Sequence, residues 1–215
     1  MRITCFKLAF VALAASVFAL PAAAQSVDTF TCRASALRVT SPLVNSEPVV
    51  ANSANNPCAS QSAQAANATV LGLATANVLN AQTSAQSSGA TSKASVADVT
   101  ITLGGNTIAA TVLQSSAAVK CTPSAPFHPG RPVFSSASKI ATLSVNGVSL
   151  AVTGKPNQTI TLPGGVLTIV ISERIKQSDR ITERALRVSS GLLMTNVVVA
   201  ESIADVSGNP CAPPA

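Results

Sequence analysis

The sequence predicts an all-β domain, an antiparallel β-sandwich or open barrel built from hairpins. Three observations predict it. The stretch Lys139–Ser172 reads as two hairpins in succession, with Asn146-Gly147 supplying the φ > 0 pair of a type I′ turn and Pro163-Gly164 suiting a type II turn. Val99, Ile101 and Leu103 alternate with Thr100 and Thr102 ahead of Gly104-Gly105-Asn106, a half-buried strand followed by a turn. Four cysteines, Cys32, Cys58, Cys121 and Cys211, follow an export signal, and an even count in an exported chain implies two disulfides.

The signal comes first in the chain. Arg2 and Lys7 form a basic start, Leu8–Leu20 is an apolar run, Pro21 breaks it, and Ala22-Ala23-Ala24 offers a small-residue cleavage site. Residues 1–24 are therefore read as a signal peptide and 25–215 as a single extracytoplasmic all-β domain. The run is too short to span a bilayer comfortably, and the mature chain has no longer one. Losing Arg2 and Lys7 lowers the formal charge from +6 to +4, a mild bias and no nucleic-acid footprint. There is no Trp or Tyr, and only Phe30, Phe127 and Phe134 remain after the signal. Sugar and base recognition lean on aromatic platforms, so this scarcity counts against a lectin or a nucleic-acid binder.

Asp28–Thr40 opens the domain, with Leu37 and Val39 on one face and Arg38 and Thr40 on the other. Ser41-Pro42 and Glu47-Pro48 interrupt it. Residues 51–66, rich in Ala, Asn and Ser, read as a surface loop carrying Cys58. Residues 69–97 are ambiguous: Ala and Gln favour helix, whereas Asn77, Asn80, Thr83 and Ser84 do not. We read strands at 70–85 and 91–99 with a turn near Ser88-Gly89. Their small side chains suit either close sheet packing or an exposed edge. Placing Gly105-Asn106 at the centre of the next turn pairs Leu103 with Ile108. Pro123, Pro126, Pro129 and Pro132 then mark an irregular crossover.

The Asn146-Gly147 turn sets Val145 against Val148, Ser144 against Ser149 and Leu143 against Leu150. In the next hairpin, 159–162 returns as 166–171, which is apolar on nearly both faces, as in a sheet interior. Residues 181–189 and 196–205 complete the strands, and Pro210–Ala215 is a tail tied by Cys211. One echo stands out. Ala36-Leu37-Arg38-Val39 returns as Ala185-Leu186-Arg187-Val188, which suggests equivalent strands side by side. Among three possible disulfide connectivities, Cys32–Cys211 with Cys58–Cys121 is favoured, because it would join the termini and close the middle.

The sequence offers little catalytic chemistry. His128 is the sole histidine, in a Pro-rich loop, and no Gly-x-Ser-x-Gly motif provides a nucleophile for it. Glu173 with Glu183, or Glu201 with Asp205, are conceivable carboxylate pairs but lack sugar-stacking aromatics. The Gly-Gly pairs read as turns, since neither carries a phosphate-loop pattern. No cofactor or metal is expected, and no enzymatic activity. The best candidate binding group is Arg174, Lys176, Arg180, Arg184 and Arg187, which could meet an anionic glycan, a cell-envelope polymer or a surface protein. Glu173, Asp179 and Glu183 lie among these bases, so local ion pairing on a solvated hairpin is the competing reading.

Several landmarks in order resemble a family of exported bacterial proteins, the choice-of-anchor P family. They are Ala36-Leu37-Arg38-Val39, Val70-Leu71-Gly72-Leu73 through Val78-Leu79-Asn80, the 93–99 segment, and Leu143-Ser144-Val145-Asn146-Gly147-Val148. Pro156-Asn157-Gln158-Thr159-Ile160, Leu162-Pro163-Gly164, Ala185-Leu186-Arg187-Val188 and Val197-Val198-Val199-Ala200 follow. The resemblance implies surface proteins with interchangeable C-terminal sorting tails and brings no catalytic activity. This chain departs from it after Cys211, where Pro-Pro-Ala carries neither an apolar helix nor a basic end, so release or non-covalent retention is expected. The function expected is a non-enzymatic envelope or surface domain, structural or adhesive, in the periplasm, at the cell surface or secreted.

Overall fold

The computed structural model describes residues 28–122 and 130–212, and within them it is a β-sandwich. The strands are β1 (Thr29–Thr40), β2 (Asn45–Ala51), β3 (Gln61–Val70), β4 (Ala74–Gln86), β5 (Gly89–Leu103), β6 (Asn106–Cys121) and β7 (Pro132–Lys139). Then come β8 (Thr142–Val145), β9 (Val148–Ser149), β10 (Gln158–Thr161), β11 (Thr168–Lys176), β12 (Arg180–Ser190) and β13 (Thr195–Ser207). The first sheet has the order β10-β11-β12-β13-β1-β2, and the second the order β3-β4-β5-β6-β8-β9. The strand β7 shares one edge of β6 with β8: β7 pairs Gln114–Cys121, and β8 pairs Ile108–Thr111.

Turn chemistry fixes the hairpins. Asn146 and Gly147 both have φ > 0, and Val145 faces Val148 as the type I′ reading requires. Gly164, at φ 77 and ψ 2, takes the third position of a type II turn closed by Gly165 N donating to Leu162 O. The turn after Leu103 corrects the sequence reading. It is centred on Gly104-Gly105, so Leu103 faces Asn106 and Ile101 faces Ile108. Both glycines have φ > 0, which they adopt at less steric cost than Asn106 would.

Five further points go beyond or against the sequence reading. The two hairpins within 139–172 do not form one unit: β8–β9 is an edge of the second sheet, and β10–β11 lies at the opposite sheet's edge. Glu47-Pro48 does not interrupt β2 but falls in its bulge, where an edge strand tolerates a missing N–H. The 51–66 loop ends early, because β3 starts at Gln61. Ser135-Ser136-Ala137-Ser138, too small and polar to signal a strand, forms β7. The echo segments are not paired with each other. They flank β13 on either side, with Leu37 and Leu186 both opposite Val199, and Arg38 and Arg187 both opposite Val198.

In both sheets the in–out alternation changes phase along a transverse line. Ser172 and Ala200 mark it in the first sheet and Val78 and Val112 in the second, all with φ between 50 and 54. Adjoining strands carry a matching extra residue, so pairing resumes in step beyond the line. The large core is centred on one side of it, with Leu37, Ile101, Ile108, Leu167, Ile169 and Leu186, and reaches across it to Leu79, Val96 and Leu113. On the other side Ala90, Ala117, Val119, Ile181, Ala204 and Val206 fill a smaller one. There the sheets approach closely enough for Ser92 Oγ to donate to Ile203 O across the interior at 2.8 Å. Ser115 and Ser202 are also 2.8 Å apart. The small residues of 90–97 thus serve close packing.

The disulfides are Cys32–Cys58 and Cys121–Cys211, which overturns the favoured pairing. The reason lies in the topology. Backbone pairing of β1 with β13 already joins the ends, with Cys32 opposite Ala204, well short of Cys211. Beyond β13 the chain crosses to the end of β6, where a Cβ on Gly130 would lie 2.6 Å from Cys211 O and 2.7 Å from Thr122 O. Each bridge thereby ties one sheet to a segment of, or leading to, the other. Two such bridges fit an oxidising, non-cytoplasmic compartment. Among the described residues no helix is long and apolar enough to cross a membrane.

Candidate functional site

The charged residues sort by sheet. The outer face of the first sheet holds an arginine–carboxylate network centred on Glu201, which is 1% exposed. Arg38 Nη2 donates to Glu201 Oε2 at 2.7 Å and Arg184 Nε at 2.5 Å, while Arg33 Nη1 lies 3.5 Å from Oε1. Arg184 also reaches Glu173 at 2.7 Å, Arg187 reaches the other Glu173 oxygen at 2.9 Å, and Arg33 pairs with Glu47. β-Sheet register builds this network. Arg184 and Ser35 flank Glu201 on neighbouring strands, and Glu173 sits beside Arg184. Burial disfavours the Arg184 charge, but Glu201 and Glu173 beside it outweigh that and raise its pKa above the ordinary guanidinium value.

The five predicted binding residues do not form one patch. Arg184 and Arg187 join the network. Arg180 sits near its end, paired to Asp205 at 2.5 Å. Arg174 turns to the opposite face, where Nε donates to Glu183 at 2.8 Å. Lys176 is exposed at the end of β11. Glu183 is fully buried and bridges the sheets, accepting 2.6 Å hydrogen bonds from both Ser136 and Ser138 of β7. Local ion pairing thus accounts for Arg174, Arg184 and Arg187, the last two within a largely buried array, whereas Arg180 pairs with the more distant Asp205. The carboxylate pairs are also separated: Glu173 and Glu183 face opposite ways, and Glu201 and Asp205 each have their own arginines. His128 lies outside the described residues. Arg33, Arg38 and Glu47 escaped the sequence reading as site residues, and Glu201 entered it only as a possible partner of Asp205. The echo was the available signal, since it sets Arg38 and Arg187 at matching positions across β13.

The second sheet presents a different surface. Its outer face over β4–β7 is mainly Asn, Gln, Ser, Thr and Ala, with Lys93, Lys120 and Lys139 exposed on it beside Val78, Val112 and Val133. A depression of ≈ 390 Å³ there is lined by Asn80, Gln82, Lys93, Gln114, Ser116 and Lys139 among others. Between Gln61 and Val152 the sequence holds one acid, Asp98, and it accepts a hydrogen bond from Asn77 at 2.7 Å. The lysines form no salt bridge among the described residues, in contrast to the arginines opposite. No protein-family model, curated protein or solved structure matches the chain.

Proposed function

We propose that this chain is a non-enzymatic, exported β-domain of the bacterial envelope or cell surface with a structural or adhesive role. Residues 1–24 act as its signal peptide, and the choice-of-anchor P family is the group it resembles. The observation that carries this reading is the pair of sheet-linking disulfides, Cys32–Cys58 and Cys121–Cys211, behind a basic-then-apolar leader. The buried arginine–carboxylate array supports a rigid scaffold role, because each of its charges is held by the scaffold itself. Cell fractionation of a tagged protein, followed by a pull-down, tests the reading. Recovery with envelope material is expected; protein found free in the medium with no partner overturns the adhesive role.

A second reading, binding of an anionic glycan or envelope polymer, is favoured by one observation. The second sheet offers lysines without acidic partners over a floor of amides and hydroxyls. The arginines of 174–187 are less suited, since acids already occupy them. Salt-sensitive binding lost in Lys93→Gln/Lys139→Gln favours this site; loss in Arg180→Glu/Arg184→Glu without unfolding favours the arginine segment.

A further inference from the structure

The turns at one end of the sandwich carry large apolar side chains into solvent. Leu43 is 92% exposed, Leu192 78%, Met194 74%, Leu71 72%, and Val148 and Leu193 join them at 67% and 42%. These residues come from separate parts of the chain but from one end of the fold. In the first sheet Thr40 pairs with both Asn45 and Asn196, which sets the β1–β2 turn beside the β12–β13 turn. In the second, Ala74 opposite Ile101 and Val145 opposite Ile108 bring the β3–β4, β5–β6 and β8–β9 turns together. Gly104 links the two groups, since a Cβ there would lie 3.2 Å from Val166 and 3.9 Å from Leu193. The tips span roughly 20 Å along the sheets and ~10 Å between them. None of the turn segments 41–44, 71–73, 104–105, 146–147, 162–166 and 191–194 contains a charged residue. The opposite end carries Lys120, Arg131, Lys176, Asp179 and Arg180 together with both disulfides.

Leu71 is the telling residue. It occupies the first central position of a turn with Gly72, φ 38 and 66, closed by Leu73 N donating to Val70 O at 2.8 Å. That is type I′ geometry, which favours Asn, Asp or Gly. The Asn146-Gly147 turn, at the other edge of the same sheet, uses the favoured pair with both φ > 0. At Leu71 backbone preference and solvation both disfavour leucine, and conflicts of this kind concentrate at functional sites. Met194, at φ 44, repeats the conflict.

We propose that this apolar end inserts into the interfacial layer of a lipid bilayer and holds the domain on a membrane surface without a spanning segment. Separate prongs on several turns suit a deformable apolar layer, which needs no matching groove. An end without charge leaves no ion to be stripped of water on entry. Several large apolar side chains exposed at one end of the fold mark a contact surface. The inference rests on the envelope reading only for where lipid would be met, and vesicle binding tests it separately from fractionation.

The experiment is co-sedimentation of the purified protein with phosphatidylcholine vesicles, and with vesicles that also contain phosphatidylglycerol. Binding to both, little changed by salt, is expected. Leu71→Asn/Leu192→Ser weakens the partition coefficient at least tenfold, the scale set by one leucine burial. Leu71→Asn alone keeps or raises the unfolding midpoint, because Asn suits the turn, so its loss of binding is not loss of fold. Four results overturn the proposal. They are protein left in the supernatant with both vesicles, unchanged binding of the double variant, binding abolished by Lys93→Gln/Lys139→Gln, and a leucine-dependent dimer in place of vesicle binding.

Discussion

Glu201→Gln removes the charge at the centre of the arginine array and keeps the shape of the side chain. Glu201 is 1% exposed, whereas Arg33, Arg38 and Arg184 are 15, 26 and 19% exposed. Deleting one partner of a buried pair costs ~3–5 kcal/mol, because the charges left behind stay desolvated. Here water reaches each guanidinium in part, and Glu173 still neutralises Arg184, so the expected cost is about 2–3 kcal/mol. For a domain of this size that lowers the thermal midpoint by about 4–12 °C. Thermal and urea denaturation measure it, and a cycle with Arg184→Gln isolates the pair. Coupling of at least about 1 kcal/mol is expected between two groups in direct contact. A Glu201→Gln midpoint within about 1 °C of the parent, or coupling near zero, would refute the reasoning, since the array would then be hydrated and its members independent.

Non-reducing peptide mapping should recover Cys32 linked to Cys58 and Cys121 linked to Cys211; a Cys32–Cys211 peptide would contradict the topology. With sequence separations of 26 and 90, the loop-entropy model gives about 3.5 kcal/mol for the first bridge and about 4.5 kcal/mol for the second. Urea denaturation of the two Cys→Ser pairs should therefore rank them in that order. Asn146→Ala should cost about 1 kcal/mol in the same assay, since Asn146 has φ 51, accepts a hydrogen bond from Thr107 N and donates to Asn106. Gly89→Ala should cost about 2 kcal/mol, because its Cβ would lie 2.3 Å from Val119 O and force β5 from β6; an unchanged midpoint would argue against that close approach. A raised folded-state pKa makes the Arg184 contribution fully present below the unfolded value and lost only as pH climbs through the folded one. The stability difference between parent and Arg184→Gln, measured by urea denaturation, should stay flat from about pH 6 to 9 as far as the arginine itself is concerned.

The turns were the most legible part of the fold, because φ > 0 is a local demand that few residues meet. Asn146-Gly147 could be placed with its register from sequence, and Pro163-Gly164 as a turn, though the ladder beside it closes across 163–166. The Gly104-Gly105-Asn106 turn misled by one position, since three adjacent residues all tolerate φ > 0 and only the ladder beyond them decides between them. The strand β7 was illegible because Ser136 and Ser138 face Glu183, so its inward side is polar and gives no hydrophobic alternation. The phase change at Ser172, Ala185, Ala200 and Ala36 hid part of the site as well. A strict two-residue period run through Ala200 puts Glu201 on the inner side with Val197 and Val199, whereas it lies outside among arginines.

The sequence alone determined the all-β class, the pairing of four cysteines into two bridges and the positions of several hairpins, because backbone conformation and hydrophobic alternation are short-range properties. Tertiary structure alone decided which cysteines meet, which arginines share a carboxylate and which loop tips stand together. Those outcomes depend on strand order, and strand order is set by how two sheets bury their faces against each other across residues far apart in the chain.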